Sequence, residues 1–297
     1  MKLKLITGKG GVGKSAVTAS LATALAELKY KVGIIELGEA RMADFFKSSL
    51  PTYAGHAVNP YISLFNLESP ACFEEYASLH LPKRALALLK NRWVNHFIDA
   101  APGLNEILLL GKIYSLSNEN CFDFLLIDAP ATGHTISLCD APRIAMKALK
   151  HGPLRTMVEK VWDLFHDSKK TSFLLVTQLE HFIVHETVEL HQHLTKKLEL
   201  SFDNVIINGK MNGENIPTEE IPKESPKEAA LIVGCLKTYQ EKIKRQQTLF
   251  SELKKTFPKT IPQLFWGEHL IEECDLRLKL TKDLKPWVLQ NYSKKSA

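Results

Sequence analysis

Apolar residues in this chain follow two rhythms, short unbroken runs and longer stretches with helical spacing. The first run, Leu3 to Thr7, feeds a glycine-rich turn, and from Lys14 onward Val17, Leu21, Ala24, Leu25 and Leu28 recur at helical intervals. That interval lays one apolar stripe along a helix. A second run, Val32 to Glu36, reads as a buried parallel strand, so strand, helix and strand form a βαβ unit. Residues 51–60, with Pro51, Gly55 and Pro60, read as a loop, and Tyr61 to Leu67 as a strand at a sheet edge. From Pro70 to about Asn118 the pattern is mainly helical, with Leu86, Leu89, Trp93 and Phe97 spaced among Lys83, Arg84, Lys90 and Arg92.

Phe122 to Asp128 is another apolar run, ending on a carboxylate. Residues 140–168 read as two helical pieces broken by Pro142, Gly152 and Pro153, the second with a broad apolar face of Leu154, Met157, Val158, Val161, Trp162 and Phe165. Thr171 to Thr177 and Asn204 to Asn208 are further strands. Residues 211–228 read as a mobile loop, Glu228 to Lys255 as a helix, Ile261 to Trp266 as the last strand and Leu270 to Leu284 as a closing helix before a frayed tail from Ser293. Strands alternating with helices predict an α/β fold, a mainly parallel sheet with helices on both faces.

Composition narrows the class. At 297 residues with 45% hydrophobic and 24% charged content, the chain is an ordinary globular protein and not a disordered one. A net charge of +5 is too mild for a nucleic-acid partner, and Lys242, Lys244, Arg245, Lys254 and Lys255 share their stretch with Glu241 and Glu252, as a solvated helix face does. Five scattered cysteines, Cys72, Cys121, Cys139, Cys235 and Cys274, make no close pair, which predicts reduced thiols and no zinc site. His181, His185, His191 and His193 read as a polar helix surface for the same reason, no cysteine or fixed acidic partner being near. No apolar run approaches the roughly 20 residues that span a bilayer, and the opening strand leaves no room for a signal peptide. The expected location is the cytoplasm.

The chemistry concentrates in Gly8-Lys-Gly-Gly-Val-Gly-Lys-Ser15, which fits the G-x-x-x-x-G-K-[ST] phosphate loop and has the strand before it and helix after it that such a loop requires. Gly8, Lys9, Gly10, Gly11, Val12, Gly13, Lys14, Ser15 and Ala16 are therefore the candidate nucleotide-binding residues. Loop N–H groups and the helix N-terminus favour phosphate oxygens. Lys14 is expected to reach the β- and γ-phosphates of ATP or ADP, Ser15 to offer its hydroxyl to Mg²⁺, and Asp128 to complete the metal shell from its strand end.

Lys9, directly after the first glycine, resembles the second lysine of the deviant Walker A loop of the MinD, ParA, nitrogenase-iron-protein and arsenite-pump ATPases. The sequence Asp128-Ala-Pro-Ala-Thr-Gly-His-Thr135 is similar to the D-T-A-P-T-G-H-T signature of the arsenite-pump (ArsA) and tail-anchored-protein-targeting ATPases, and Pro102-Gly-Leu-Asn-Glu106 to their P-G-x-x-E helix. On these motifs the chain resembles that family, of the SIMIBI class of P-loop NTPases. The resemblance implies one P-loop ATPase domain over residues 1–297, with a helical subdomain from about 70–118 and 140–168. It implies a dimer, with itself or with a related ATPase, in which Lys9 crosses to the partner's phosphates. It also implies Gly133, His134 and Thr135 as switch II, Asn208 as the reader of adenine, and a nucleotide state coupled to an unidentified client protein, a membrane-associated one among the options.

The family's switch I, S-T-D-P-A-H-S-L-S-D, is poorly matched by Leu37 to Phe46, its aspartate falling near Gly38. A carboxylate is needed there to orient the attacking water. Glu36 and Glu39 are the nearest substitutes, Glu39 being favoured because it lies beyond the strand. The alternative is a weakly active or inactive nucleotide-binding regulatory subunit paired with an intact sibling ATPase. Two other features are weaker than their counterparts in the family: Met146 and Met157 alone represent the methionines of a hydrophobic-client groove, and Cys72, Cys121 and Cys139 do not reproduce an arsenite-binding set.

Overall fold

The computed structural model describes residues 1–80, 82, 103–211, 226–265 and 273–293. The described strands, β1 (Lys2–Thr7), β2 (Val32–Leu37), β3 (His56–Asn59), β4 (Ile62–Leu67), β5 (Phe124–Asp128), β6 (Thr171–Thr177), β7 (Phe202–Lys210) and β8 (Gln263–Phe265), form one sheet in the order β3-β4-β2-β5-β1-β6-β7-β8. Every pairing is parallel except β3 with β4. The described helices are α1 (Lys14–Glu27), α2 (Met42–Phe46), α3 (Ser69–His80), α4 (Leu104–Asn118), α5 (Thr132–Ala148), α6 (Pro153–His166), α7 (His181–Gln192, continued by a π-helical turn His193–Lys197), α8 (Pro226–Thr256) and α9 (Glu273–Tyr292).

The unbroken apolar runs are central strands because both of their faces are covered. In β1, Leu3 and Leu5 enter one apolar cluster with Leu110 and Ile113 of α4, Val161 and Phe165 of α6 and Leu190 of α7. Ile6, one residue out of phase, enters a second cluster with Val17 and Leu21 of α1 and Leu284 and Val288 of α9. This alternation at period two divides the core into two layers, one on each side of the sheet. On the first side α3, α4, α5 and α6 pack on one another, through Ile107, Ala141 and Val158 among others.

Several elements depart from the sequence expectation. The loop expected over 51–60 contains β3, an antiparallel edge strand, which moves β4 from the expected edge to an interior position. Pro142 does not break the chain: α5 runs through it, held against α4 and α6 where Ala141 is buried. The Thr-Gly-His-Thr signature forms the first turn of α5. Asn208 lies inside β7, which continues to Lys210. The residues from Leu86 to Phe97, Pro102, most of the loop over 211–228, Trp266 and the tail after Ser293 lie outside the described residues.

Candidate functional site

Three strands end together. β1 runs into the glycine loop, and its neighbours across the sheet, β5 and then β2, end level with it in register: Ile6 pairs with Asp128, and Asp128 with Glu36. Ligands of open parallel sheets bind outside such carboxyl ends. Here a cavity of about 850 Å³ lies beside Gly10 to Ala16, with walls from Glu36 to Phe45 and from Asp128 to Ala131.

Two glycines of the loop admit no other residue. Gly8 has φ 153°, and a Cβ there would stand 2.2 Å from the Val176 carbonyl oxygen. Gly13 has φ 87°, and its Cβ would stand 2.2 Å from Asn208 Nδ2. The chain can therefore turn tightly from β1 into α1, which aims the unpaired N–H groups of the helix start at the cavity. Asn208 secures the turn from behind, donating from Nδ2 to the Val12 carbonyl at 2.9 Å. Its amide nitrogen is thus committed to the loop, and Asn208 is not in the wall of the cavity.

Lys14, Ser15 and Asp128 come together. Ser15 Oγ donates to Asp128 Oδ2 at 2.6 Å, Thr18 Oγ1 approaches Asp128 Oδ1 at 3.3 Å, and Lys14 Nζ donates to the Lys9 carbonyl at 3.2 Å. Burial pushes the Asp128 carboxyl above its ordinary range against the pull of Ser15 and Lys14, and burial holds Lys14 below its own. A hydroxyl and a carboxylate already in contact beside a free cavity are the donor types that a hard cation takes.

Glu36 is only 2% exposed. Its Oε1 accepts the backbone N–H groups of Arg41 and Met42 at 2.6 and 2.9 Å and so fixes the start of α2, an element that propensity alone does not announce in five residues. Its Oε2 is buried without a partner. Desolvation raises this carboxyl to about 7, against the two backbone hydrogen bonds that lower it. Glu39, the favoured candidate from the sequence, sits at the rim with its side chain 79% exposed and its carboxylate bound by Arg41.

The two lysines of the loop diverge. Lys9 Nζ turns to Glu186 of α7 at 3.1 Å and lies 3.6 Å from the centre of the exposed Phe182 ring. Glu186 also accepts from Thr132 Oγ1 at 3.0 Å, joining the loop, the first turn of α5 and α7. Thr135 is buried and couples to β1 through Thr7 Oγ1 at 2.8 Å, while its hydroxyl also reaches the Pro130 carbonyl. Gly133 and His134 are exposed. Nothing local in the sequence ties Glu186 to Lys9, Thr18 to Asp128, or Glu36 to the N–H groups of Arg41 and Met42.

Of the cysteines, Cys72 and Cys139 are buried, which pushes their thiols up to about 11 and about 12, and Cys121 and Cys235 are exposed. Among the described residues no three His, Cys, Asp or Glu side chains gather as a metal cluster. No described helix is long and apolar enough to cross a membrane.

The family model for anion-transporting ATPases (ArsA) matches residues 1–161 and 150–257. The chain is 31% identical over 243 residues to the ATPase BagA of Mycobacterium tuberculosis, covering 77% of this chain and 69% of that protein. It is 26% identical over 261 residues to an ATPase ASNA1 homolog of Cryptosporidium parvum, covering 76% and 69%, and 25% identical over 236 residues to one of Plasmodium chabaudi chabaudi, covering 68% and 61%.

Proposed function

From the premise that the chain belongs to the ArsA family of anion-transporting ATPases, we propose that residues 8–16 with Asp128 bind ATP and ADP together with Mg²⁺. Two chains then share the bound nucleotides, and the paired and unpaired states couple to an unidentified client or partner protein in the cytoplasm. The observation that carries this reading is the divergence of the lysines: Lys14 lines the cavity of its own chain, whereas Lys9 points out of it, held only by partly exposed groups.

In this reading the loop N–H groups and Lys14 hold the phosphates in place. Ser15 and Asp128 would hold the magnesium, which would supply charge neutralisation for the phosphates. Lys9 leaves Glu186 for the phosphates of the partner chain. Gly133, His134 and Thr135, at the start of α5, carry the nucleotide state into that helix, with Thr135 already tied to the end of β1. Asn208 is assigned to the adenine side through its remaining amide oxygen.

Sedimentation of the pure chain with ATP, with ADP and without nucleotide tests the proposal. The wild type is expected to pair only with ATP, and Lys9→Ala to bind ATP without pairing. A wild type that binds ATP and stays single overturns the shared site. A second reading is favoured by Gly38 and by the exposure of Glu39: a slow or inactive regulatory subunit that pairs with an intact ATPase. Single-turnover hydrolysis by the wild type and Glu39→Ala separates the two, and equal rates remove Glu39 from the chemistry.

A further inference from the structure

Among the described residues of the cavity wall, Glu36 is almost wholly buried, charged when ionised, and only half used. Oε1 is saturated by two N–H donors at the start of α2. Oε2 has none. A buried acceptor without a donor costs on the order of 1–3 kcal/mol, more when charged, so such an atom is kept where a donor arrives from outside.

None of the described hydrogen bonds from the protein's own donors at this end of the cavity reaches Oε2. Lys14 donates to the Lys9 carbonyl, Ser15 to Asp128, and the Arg41 guanidinium to Glu39. Asn66, the row neighbour of Glu36 on β4, has its own side-chain oxygen buried without a partner, and no described hydrogen bond joins the two. The row Asn66, Glu36, Asp128 crosses three adjacent strands at their carboxyl ends. Alternation along each strand places all three on the face of the sheet that carries α1, the face from which Ser15 reaches Asp128.

We propose that Glu36 is a positioning residue for the magnesium–nucleotide complex: Oε2 accepts a hydrogen bond from a water held by the metal, while Oε1 keeps the segment 38–42 folded along the cavity. One carboxylate thereby links the presence of the metal to the shape of the segment that stands where the family has switch I. Glu36 touches the metal's water and not the metal, in keeping with its place one strand beyond Asp128. Water-mediated ligand orientation of this kind is worth about 10- to 100-fold in metal affinity. The inference rests on the nucleotide reading above.

Calorimetric titration with ADP, in excess Mg²⁺ and again in EDTA, tests it on the wild type and Glu36→Gln. The glutamine keeps a carbonyl oxygen for the Arg41 and Met42 N–H groups but turns an NH₂ donor toward the cavity. The expected result is about a tenfold loss of affinity for ADP with Mg²⁺ and no change in EDTA, the second value certifying that the variant is folded. Equal affinities of variant and wild type in Mg²⁺ overturn the proposal. So does an equal loss in both conditions, which would mean that Glu36 merely shapes the loop. If Glu36→Gln does not fold, Glu36→Asp, which withdraws the charge by one methylene, is expected to show the same split. Absence of ADP binding by the wild type in either condition would instead refute the nucleotide reading itself.

Discussion

A single buried carboxylate shows how far one residue's environment controls its behaviour. Glu36 titrates near 7 in the folded chain and at an ordinary 4.5 when unfolded. Between those values the native state holds a proton that the unfolded chain has released, so this group's contribution to stability is complete below pH 4.5 and is lost as pH rises through 7. The full loss is on the order of 3 kcal/mol, from 1.36 kcal/mol per unit. Without nucleotide, the unfolding free energy of Glu36→Gln is therefore expected to match that of the wild type at pH 4.5 and to be the larger of the two at pH 8. A wild type whose advantage grows with pH relative to the variant would contradict the burial argument. Lys9 makes a second residue-level case. Its pair with Glu186 is partly exposed and has little intrinsic worth, so Glu186→Gln is expected to leave stability within about 0.5 kcal/mol while letting Lys9 go more readily. In sedimentation the variant should pair at lower ATP concentrations than the wild type; an unchanged or higher requirement would show that the pair does not restrain Lys9.

At the scale of elements, the parts legible in the sequence were those whose burial is written locally. The apolar runs of β1, β2, β5 and β6 needed no knowledge of their neighbours, and Gly8 and Gly13 announced a turn that the structure closes against Val176 and Asn208. The parts that were not legible depend on distant partners. Helix α2 exists because Glu36 receives its first N–H groups, β3 because β4 offers an antiparallel edge, and α5 survives Pro142 because α4 and α6 pack around it. Asn208 was placed at a strand end from its sequence context, yet β7 continues past it and its amide braces the loop. Asn208→Ala is accordingly expected to weaken ADP binding about fivefold with and without Mg²⁺ alike, the worth of one hydrogen bond, in contrast to the selective effect at Glu36. Thr135→Val removes a buried hydroxyl shared by Thr7 and Pro130. It should lower unfolding free energy by about 1–2 kcal/mol, read by denaturant titration; no loss would mean that the first turn of α5 is not anchored through that hydroxyl.

For the whole molecule, the sheet gathers onto one edge what the chain scatters along its length. A lysine and a serine from the first loop, an aspartate from β5 and a glutamate from β2 meet because three parallel strands end in register. That convergence, with membership of a family of ATPases, makes the cavity beside Lys14 the centre of the functional reading. The most direct measurement is calorimetric titration of the wild type and Lys14→Ala with ADP in excess Mg²⁺. Saturable binding of ADP by the wild type, weakened at least about tenfold by loss of the charge-assisted contact to phosphate, is the predicted result. No binding by the wild type, or equal binding by the variant, would contradict it.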